Sequence, residues 1–535
     1  MKRAFINGKF YKNTGQFAEA VLVQDGVFTA VGSNDEIRVA AGQADVVDLG
    51  GRTVLPGFND SHLHLYFTGE MLRSLRLGAC TSISECIQAG RDYIGEHKVP
   101  PGRIILGYGL NQDYFTDEVR LPTRHDLDQI SQNHPIIINR ACLHVVSMNS
   151  MALQMAGITR ETEEIEGGEI YRDQHGEPTG ILTENAMKLV DNIDQTPTLG
   201  EMAENLKTAI AYANKYGITS IQPNDIHDDN AEEILNAYAE VYRQGAGTLR
   251  VYHQCRFSYP DGIRAFFEAG NKTGKGDDFH KIGPIKFFVD GSLGARTARL
   301  RAPYNDDPST RGVLCLTQAQ SDEMVQTAHE AGFQCVVHAI GDAAMDMVLE
   351  SYEKVIEKGE NVNRHGVIHC QITDIPLLER FRKNNVLALV QPIFLHYDIQ
   401  IIEQRIGREL ARTSYAFNTM DKLGLSVSYG TDSPVEDMNP FHNIHCAVNR
   451  QDLSGNPAGG YNADECVSLE RVIDNYTLGS AYASFEEHKK GRIQEGFLAD
   501  MCVLDRDIFT IDRSDIMNIQ ADMTILGGEI IYTHA

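Results

Sequence analysis

Leu55-Pro-Gly-Phe-Asn-Asp-Ser-His-Leu-His-Leu65 sets two histidines two residues apart just beyond an apolar run. Val54 and Leu55 read as the close of a buried strand, punctuated by Pro56-Gly57. Side chains of an extended segment alternate between faces, so His62 and His64 point the same way. Two imidazoles on one face suit one divalent cation, zinc or a similar metal. A loop also produces such a pair by accident, so its meaning depends on the rest of the chain.

Working outward, short apolar runs recur with helical patterns between several of them. After Val54-Leu55 come Ile218–Ile221, Leu249–Tyr252, Ile285–Val289, Phe333–Val337, Gly366–His369, Val386–Val390 and Leu425–Tyr429; helical stretches include Glu201 to Tyr216 and Ser321 to Ala331. Eight β-runs alternating with helices predict a distorted (β/α)8 TIM barrel, an α/β fold. The interval from Leu65 to Ile218 is too long for one βα unit and predicts an insertion at about 66–210. The two ends share a hairpin pattern, around Asp25-Gly26 in Ala20–Gly32 and around Gly527-Gly528 in Met523–Tyr532. Neither end has enough strands to bury a face alone, so both are expected in one small composite β-sandwich domain, residues 1–55 with 488–535, around a barrel at 56–487.

Composition narrows the class. With 42% hydrophobic and 23% charged residues over 535 positions, the chain reads as an ordinary globular protein. A net charge of −26 argues against nucleic acid as a partner. No apolar run approaches the roughly 18 residues of a membrane span, and the N-terminus lacks the apolar core of a signal peptide. Ten cysteines, none in a Cys-x-x-Cys pair, fit reduced thiols in a cytoplasmic protein.

Polar residues cluster where the runs end: His338 after Val336-Val337, His369 after Val367-Ile368, and Asp432 after Ser428–Thr431. A barrel gathers its catalytic groups at the C-terminal ends of its strands, where four histidines and an aspartate make a site for one or two metal ions. Singly, His338 and His369 also read as satisfied core histidines, and Asp432-Ser433-Pro434 as a helix cap. Lys286 lies in Pro284–Asp290, a run expected to be buried on both faces, where an amine is costly unless paired or modified. It either pairs with Asp290 or another acid, or contributes to the metal site.

The segment Leu55–His64 with His338, His369 and Gly430-Thr-Asp-Ser-Pro434 resembles the amidohydrolase superfamily, and more narrowly its amidohydrolase-3, YtcJ-like group of metal-dependent hydrolases. Gly167–Ile170, Gly176–Glu184, Asp290–Ala298, His338–Asp342 and Gly496–Asp500 extend the resemblance along nearly the whole chain. It implies metal ligation by His62, His64, His338, His369 and Asp432, with Lys286 at a position where many members carry a carbamate bridging two cations. Zinc is the implied metal. The implied reaction is hydrolysis of a C–N bond (amide, N-formyl or cyclic amide) in a small molecule. A metal-activated water attacks, Asp432 acts as general base and acid, and His338 or His369 faces the oxyanion.

Esterase or deaminase chemistry on the same site is the alternative within enzymes, and a non-catalytic small-molecule binding protein the alternative outside them. His144, in Arg140–Ser150, and Arg296, in the Asp290–Ala298 loop, are the substrate-binding candidates; Tyr108, Asn111 and Asp113 are weaker ones. His144 reads equally as an ordering residue of the insertion and Arg296 as half of a surface ion pair. A homodimer is the family-level expectation.

Overall fold

The structure, a computed structural model, describes residues 2–140, 144–165, 167–193 and 196–534. It divides into two compact units, Met1–Gly69 with Leu206–Ala535, and Glu70–Asn205.

The first unit holds an eight-stranded parallel sheet: β1 (Phe58–Leu63), β2 (Ile218–Pro223), β3 (Arg250–Arg256), β4 (His280–Phe288), β5 (Cys335–Ala339), β6 (Gly366–His369), β7 (Leu387–Val390) and β8 (Val427–Tyr429). Spatial order equals chain order. Just beyond β8, Asp432 N donates to His62 O at 2.8 Å and His64 N to Ser433 O at 2.7 Å, bringing the last strand against the first. The result is the expected TIM barrel. β5, β6 and β7 are buried throughout, as parallel strands covered on both faces must be. Helices alternate with them. Gln318–Glu330 begins in a capping box between Thr317 and Gln320 and buries Ser321, Met324, Val325 and Ala328 along one stripe.

Strands from both ends of the chain make two further sheets. One is ordered Val27–Gly32, Ala20–Gln24, Lys2–Ile6, Asp45–Asp48; the other Glu529–Thr533, Ala521–Leu526, Met501–Leu504, Thr53–Pro56, Lys9–Asn13, Gln16–Ala18. Phe5, Val21 and Phe28 from the first pack with Phe10, Val54, Val503 and Ile525 from the second in one core. Val54 and Leu55, read above as the first barrel run, therefore belong to the terminal sheet, where Thr53–Pro56 pairs with Met501–Leu504 and Lys9–Asn13. The chain passes into the barrel at Gly57. A Cβ there would stand 2.1 Å from Thr219 Oγ1, so only glycine allows the crossing.

Ion pairs close the N-terminal end of the barrel. Arg250 Nε and Nη2 hold Asp500 at 2.7 and 3.0 Å, and Glu486 is gripped by Lys281 and by Lys490, the latter at 2.5 Å.

The second unit contains a six-stranded mixed sheet ordered Gly168–Arg172, Pro178–Glu184, Val145–Met148, Ile136–Arg140, Ile105–Leu110, Leu75–Arg76. Among the described residues, no helix is long and apolar enough to cross a membrane.

Candidate metal centre

β1 carries Asn59, Asp60, Ser61 and His62 in sequence, all buried. Asp60 and His62 are held by neighbours, whereas the Asn59 amide and Ser61 Oγ have no hydrogen-bond partner among the described residues. Asp60 accepts Thr431 Oγ1–H at 2.6 Å and the amides of Thr431 and His62. Burial pushes its carboxyl up to about 7 against those bonds. Asp60 so ties the β8 loop to β1, and Gly430 lets the two touch: a Cβ at Gly430 would lie 2.6 Å from His62 N.

That contact delivers Asp432 to the histidines. Its Oδ1 lies 3.3 Å from both His62 Nε2 and His64 Nε2, and the ligand atoms of the three residues fall within 4.8 Å of one another. Next to them the His369 ring stands 5.6 Å from that of His62 and 4.4 Å from that of His338. Asp432 and His369 both hold left-handed backbone, φ +58° and +81°, a strain typical of functional positions.

Each imidazole has one nitrogen anchored and the other left over. His62 Nδ1–H donates to Gln254 Oε1 at 2.7 Å, His64 Nδ1–H to Asn224 O at 3.2 Å, and His369 Nδ1–H to Gln391 Oε1 at 2.8 Å. His338 is reversed, with Nε2 on Gly291 O at 3.2 Å and Nδ1 without a partner. Gln254 is itself fixed by donating to Ser61 O at 2.9 Å. Anchoring one nitrogen turns the other's lone pair inward, which is how metal-binding histidines are oriented.

Burial, then the charge of Lys286, holds His62 well below its ordinary value and His338 down to about 3. Burial and then His338 do the same to His369. Burial also lowers His64, but contact with Asp432 and the charges of Asp432 and Asp225 outweigh it and the net direction is upward. Neutral rings are the form that ligates metals.

Lys286 is fully buried, and its Nζ has no hydrogen-bond partner among the described residues; it lies 4.7 Å from the Phe288 ring centroid. It does not pair with Asp290, which instead accepts the amides of Gly341, Ile340 and Arg299. Burial brings the amine down to about 7, Asp432 opposing and Arg256 adding to the shift. Three orphaned buried atoms, Asp432 Oδ1, His338 Nδ1 and Lys286 Nζ, thus share this end of the barrel. Imidazole nitrogens and a carboxylate oxygen converging within ligating distance of one another are the donors a divalent cation takes, so the donor set fits such a metal.

Arg296 sits on the loop after β4, where Nε and Nη2 bind Asp306 at 3.1 and 2.9 Å. In the second unit His144 is exposed and pairs with Glu184 at 3.0 Å. Residues 141–143 of that segment lie outside the described residues. Asn111 and Asp113 both bind Arg140 there. Asp60, Asn224, Gln254 and Gln391 went unnoticed in the sequence, although Gln254 and Gln391 are polar residues in or just after buried strands.

The amidohydrolase family model matches residues 45–532. The chain is 33% identical to YtcJ of Bacillus subtilis (strain 168), assigned by its name to the amidohydrolases, over 99% of both chains. It is 26% identical to the N-substituted formamide deformylase of Arthrobacter pascens, over 96% of this chain and 95% of that one. An uncharacterized metal-dependent hydrolase from Pyrococcus furiosus superposes with a TM-score of 0.79 at 29% identity, covering 95% of this chain and 99% of the other. With the barrel and the histidine–aspartate cluster in place, the chain belongs to the amidohydrolase family and is a metal-dependent hydrolase acting on carbon–nitrogen bonds.

Proposed function

We propose that the chain hydrolyses an amide, N-formyl or cyclic amide bond of a small molecule, with His62, His64, His338, His369 and Asp432 holding one or two divalent metal ions, zinc foremost. The observation that carries this reading is the approach of His62 Nε2 and His64 Nε2 to Asp432 Oδ1, at 3.3 Å each, with the other nitrogens of both rings already bonded. A cation held there supplies Lewis acidity that acidifies water and polarises a carbonyl. Asp432 takes the proton of the attacking water and returns it to the leaving nitrogen. Lys286, lowered to about 7, keeps a substantial uncharged fraction at neutral pH. An uncharged amine adds to carbon dioxide and loses a proton, giving a carbamate whose oxygens ligate where an ammonium cannot. The nine described cysteines are free thiols, which suits a reducing, cytoplasmic setting.

Elemental analysis of protein purified without chelator, followed by a panel of amides, esters and aminated heterocycles, tests the reading. The expected result is one to two metals per chain and turnover of amides that chelation abolishes. Asp432→Asn should lower kcat by about 10²–10⁴ with a native circular dichroism spectrum. Near-normal turnover by that variant, or metal-free protein inert on every substrate, overturns it.

A further inference from the structure

Residues Arg250, Tyr252, Gln254 and Arg256 share one face of β3, because alternate side chains of a strand point the same way. Gln254 on that face reaches His62. Arg256, one pleat nearer the C-terminal end, is therefore at the mouth beside the histidine cluster. Its register partner on β4 is Lys286. The guanidinium lies 5.0 Å from the Phe288 ring centroid, and that ring lies 4.8 Å from the His338 ring. A single phenyl ring separates the guanidinium from His338.

Among the described residues, no carboxylate lies within ion-pair distance of Arg256 and no hydrogen bond engages its side chain. Carboxylates are not scarce, since 74 acidic side chains face 48 basic ones in this chain. Three arginines of the barrel are neutralised, Arg250 by Asp500, Arg296 by Asp306 and Arg301 by Asp346, while Arg299, Arg311 and Arg450 donate to backbone carbonyls; Arg256 has neither kind of partner among the described residues. Arg256 is exposed at the end of its strand, and the Phe288 ring beneath the guanidinium gives it a direction while leaving its fork of donors free. Its charge is felt across the mouth. His227, half-buried on the loop after β2, is held below its ordinary value by burial and then by Arg256.

We propose that Arg256 anchors a carboxylate of the substrate, so that the amides cleaved here carry an anionic group close to the scissile C–N bond, as N-acylated amino acids do. The inference rests on the C–N hydrolase reading above. A carboxylate one carbon beyond the amide nitrogen matches a guanidinium one ring away from His338. Arginine receives such a group through two parallel, charge-assisted hydrogen bonds.

The test compares matched pairs on the metal-loaded full chain: N-formyl-, N-acetyl- and N-benzoylglycine against the decarboxylated N-methylamides. Wild-type kcat/KM should favour the acids by roughly 30-fold. Arg256→Gln should erase most of that preference, chiefly through KM, and Arg256→Lys should restore part of it. Binding is read separately with the uncleavable ketone isosteres of the acetyl and benzoyl acids, 4-oxopentanoate and 4-oxo-4-phenylbutanoate, and their decarboxylated counterparts, by calorimetry. The acids should bind wild type at least about tenfold more tightly than the neutral ketones, and R256Q should lose that difference. No preference for the acids in wild type in any pair, or a preference that survives in R256Q, overturns the proposal. Arg256-dependent binding of the acid ketones with no amide cleaved would instead uphold the anchor and refute the C–N hydrolase reading.

Discussion

Replacing Gln254 by leucine asks whether a buried amide sets the metal affinity of His62. Gln254 is fully buried, accepts His62 Nδ1–H at 2.7 Å and donates to Ser61 O at 2.9 Å. Leucine has similar bulk and no acceptor, so a proton left on Nδ1 is unsatisfied at a cost of about 1–3 kcal/mol. The ring relieves this by carrying the proton on Nε2, 3.3 Å from Asp432 Oδ1. That tautomer uses up the lone pair facing the aspartate. A cation can bind His62 only if the proton returns to the unsatisfied nitrogen, so the same 1–3 kcal/mol opposes binding. At about 1.4 kcal/mol per tenfold, metal affinity should fall roughly 5- to 150-fold. This brackets the loss of about 10- to 100-fold usual when an outer partner of a histidine ligand is removed. Zinc is titrated into chelator-stripped wild type and Q254L against a competing chromophoric chelator, with thermal unfolding of both apo proteins as the control on folding. An affinity within twofold of wild type, with the apo fold intact, would refute the assignment of His62 Nε2 as a ligand oriented by Gln254.

Two further expectations concern buried charge. Metal-free Lys286→Met should be more stable than metal-free wild type by about 1–4 kcal/mol in urea, because it removes an unpartnered buried amine, while its metal content falls; a destabilised apo variant contradicts this. Glu486 is buried, which opposes its charge, yet Lys490 and Lys281 hold its carboxyl below the ordinary range. A depressed folded pKa stabilises above the unfolded value of about 4.3, and this contribution is lost as pH falls through and below it. Wild type should therefore lose stability below about pH 5 more steeply than E486Q, which starts about 3–5 kcal/mol lower at pH 7 with two lysines facing a neutral amide. Urea midpoints running parallel from pH 7 to pH 3 would contradict this.

The barrel was legible because its later strands are continuous apolar runs, such as Val336-Val337 and Leu387–Val390, and each ends in a polar residue. The first strand was not. Phe58–Leu63 holds four consecutive buried polar residues, and the side chains that anchor two of them, Thr431 on Asp60 and Gln254 on His62, arrive far later in the chain. An apolar-run criterion stops at Leu55 and assigns the wrong strand. The same limit applies to the site. His62, His64 and Asp432 declared themselves by residue type and position, whereas Gln254, Gln391 and Asn224 are ordinary until their hydrogen bonds to the rings are seen. Lys286 was legible as an anomaly, a basic residue in a buried run, but its lack of a partner is a fact of three dimensions.

One face of β3 shows how the barrel keeps stability and chemistry apart. At its start Arg250 is sealed against Asp500 by two hydrogen bonds. Two pleats on, Gln254 spends both of its polar atoms orienting His62. At its end Arg256 has no partner among the described residues. β4 repeats the progression, from Lys281 gripping Glu486 to Lys286 with none. Unsatisfied polar atoms and left-handed backbone at Asp432 and His369 are each destabilising by about 1–3 kcal/mol. Ion pairs at the opposite end, Arg250 with Asp500 and Glu486 with its two lysines, leave the C-terminal face as the end where a barrel carries its function. Unpaired polar atoms also occur lower in the barrel, as at Asn59 near the start of β1; Asp432, His338 and Lys286 stand out because theirs share one end with the histidine cluster. Convergence of such atoms, rather than any one of them, marks the place where a ligand completes the structure.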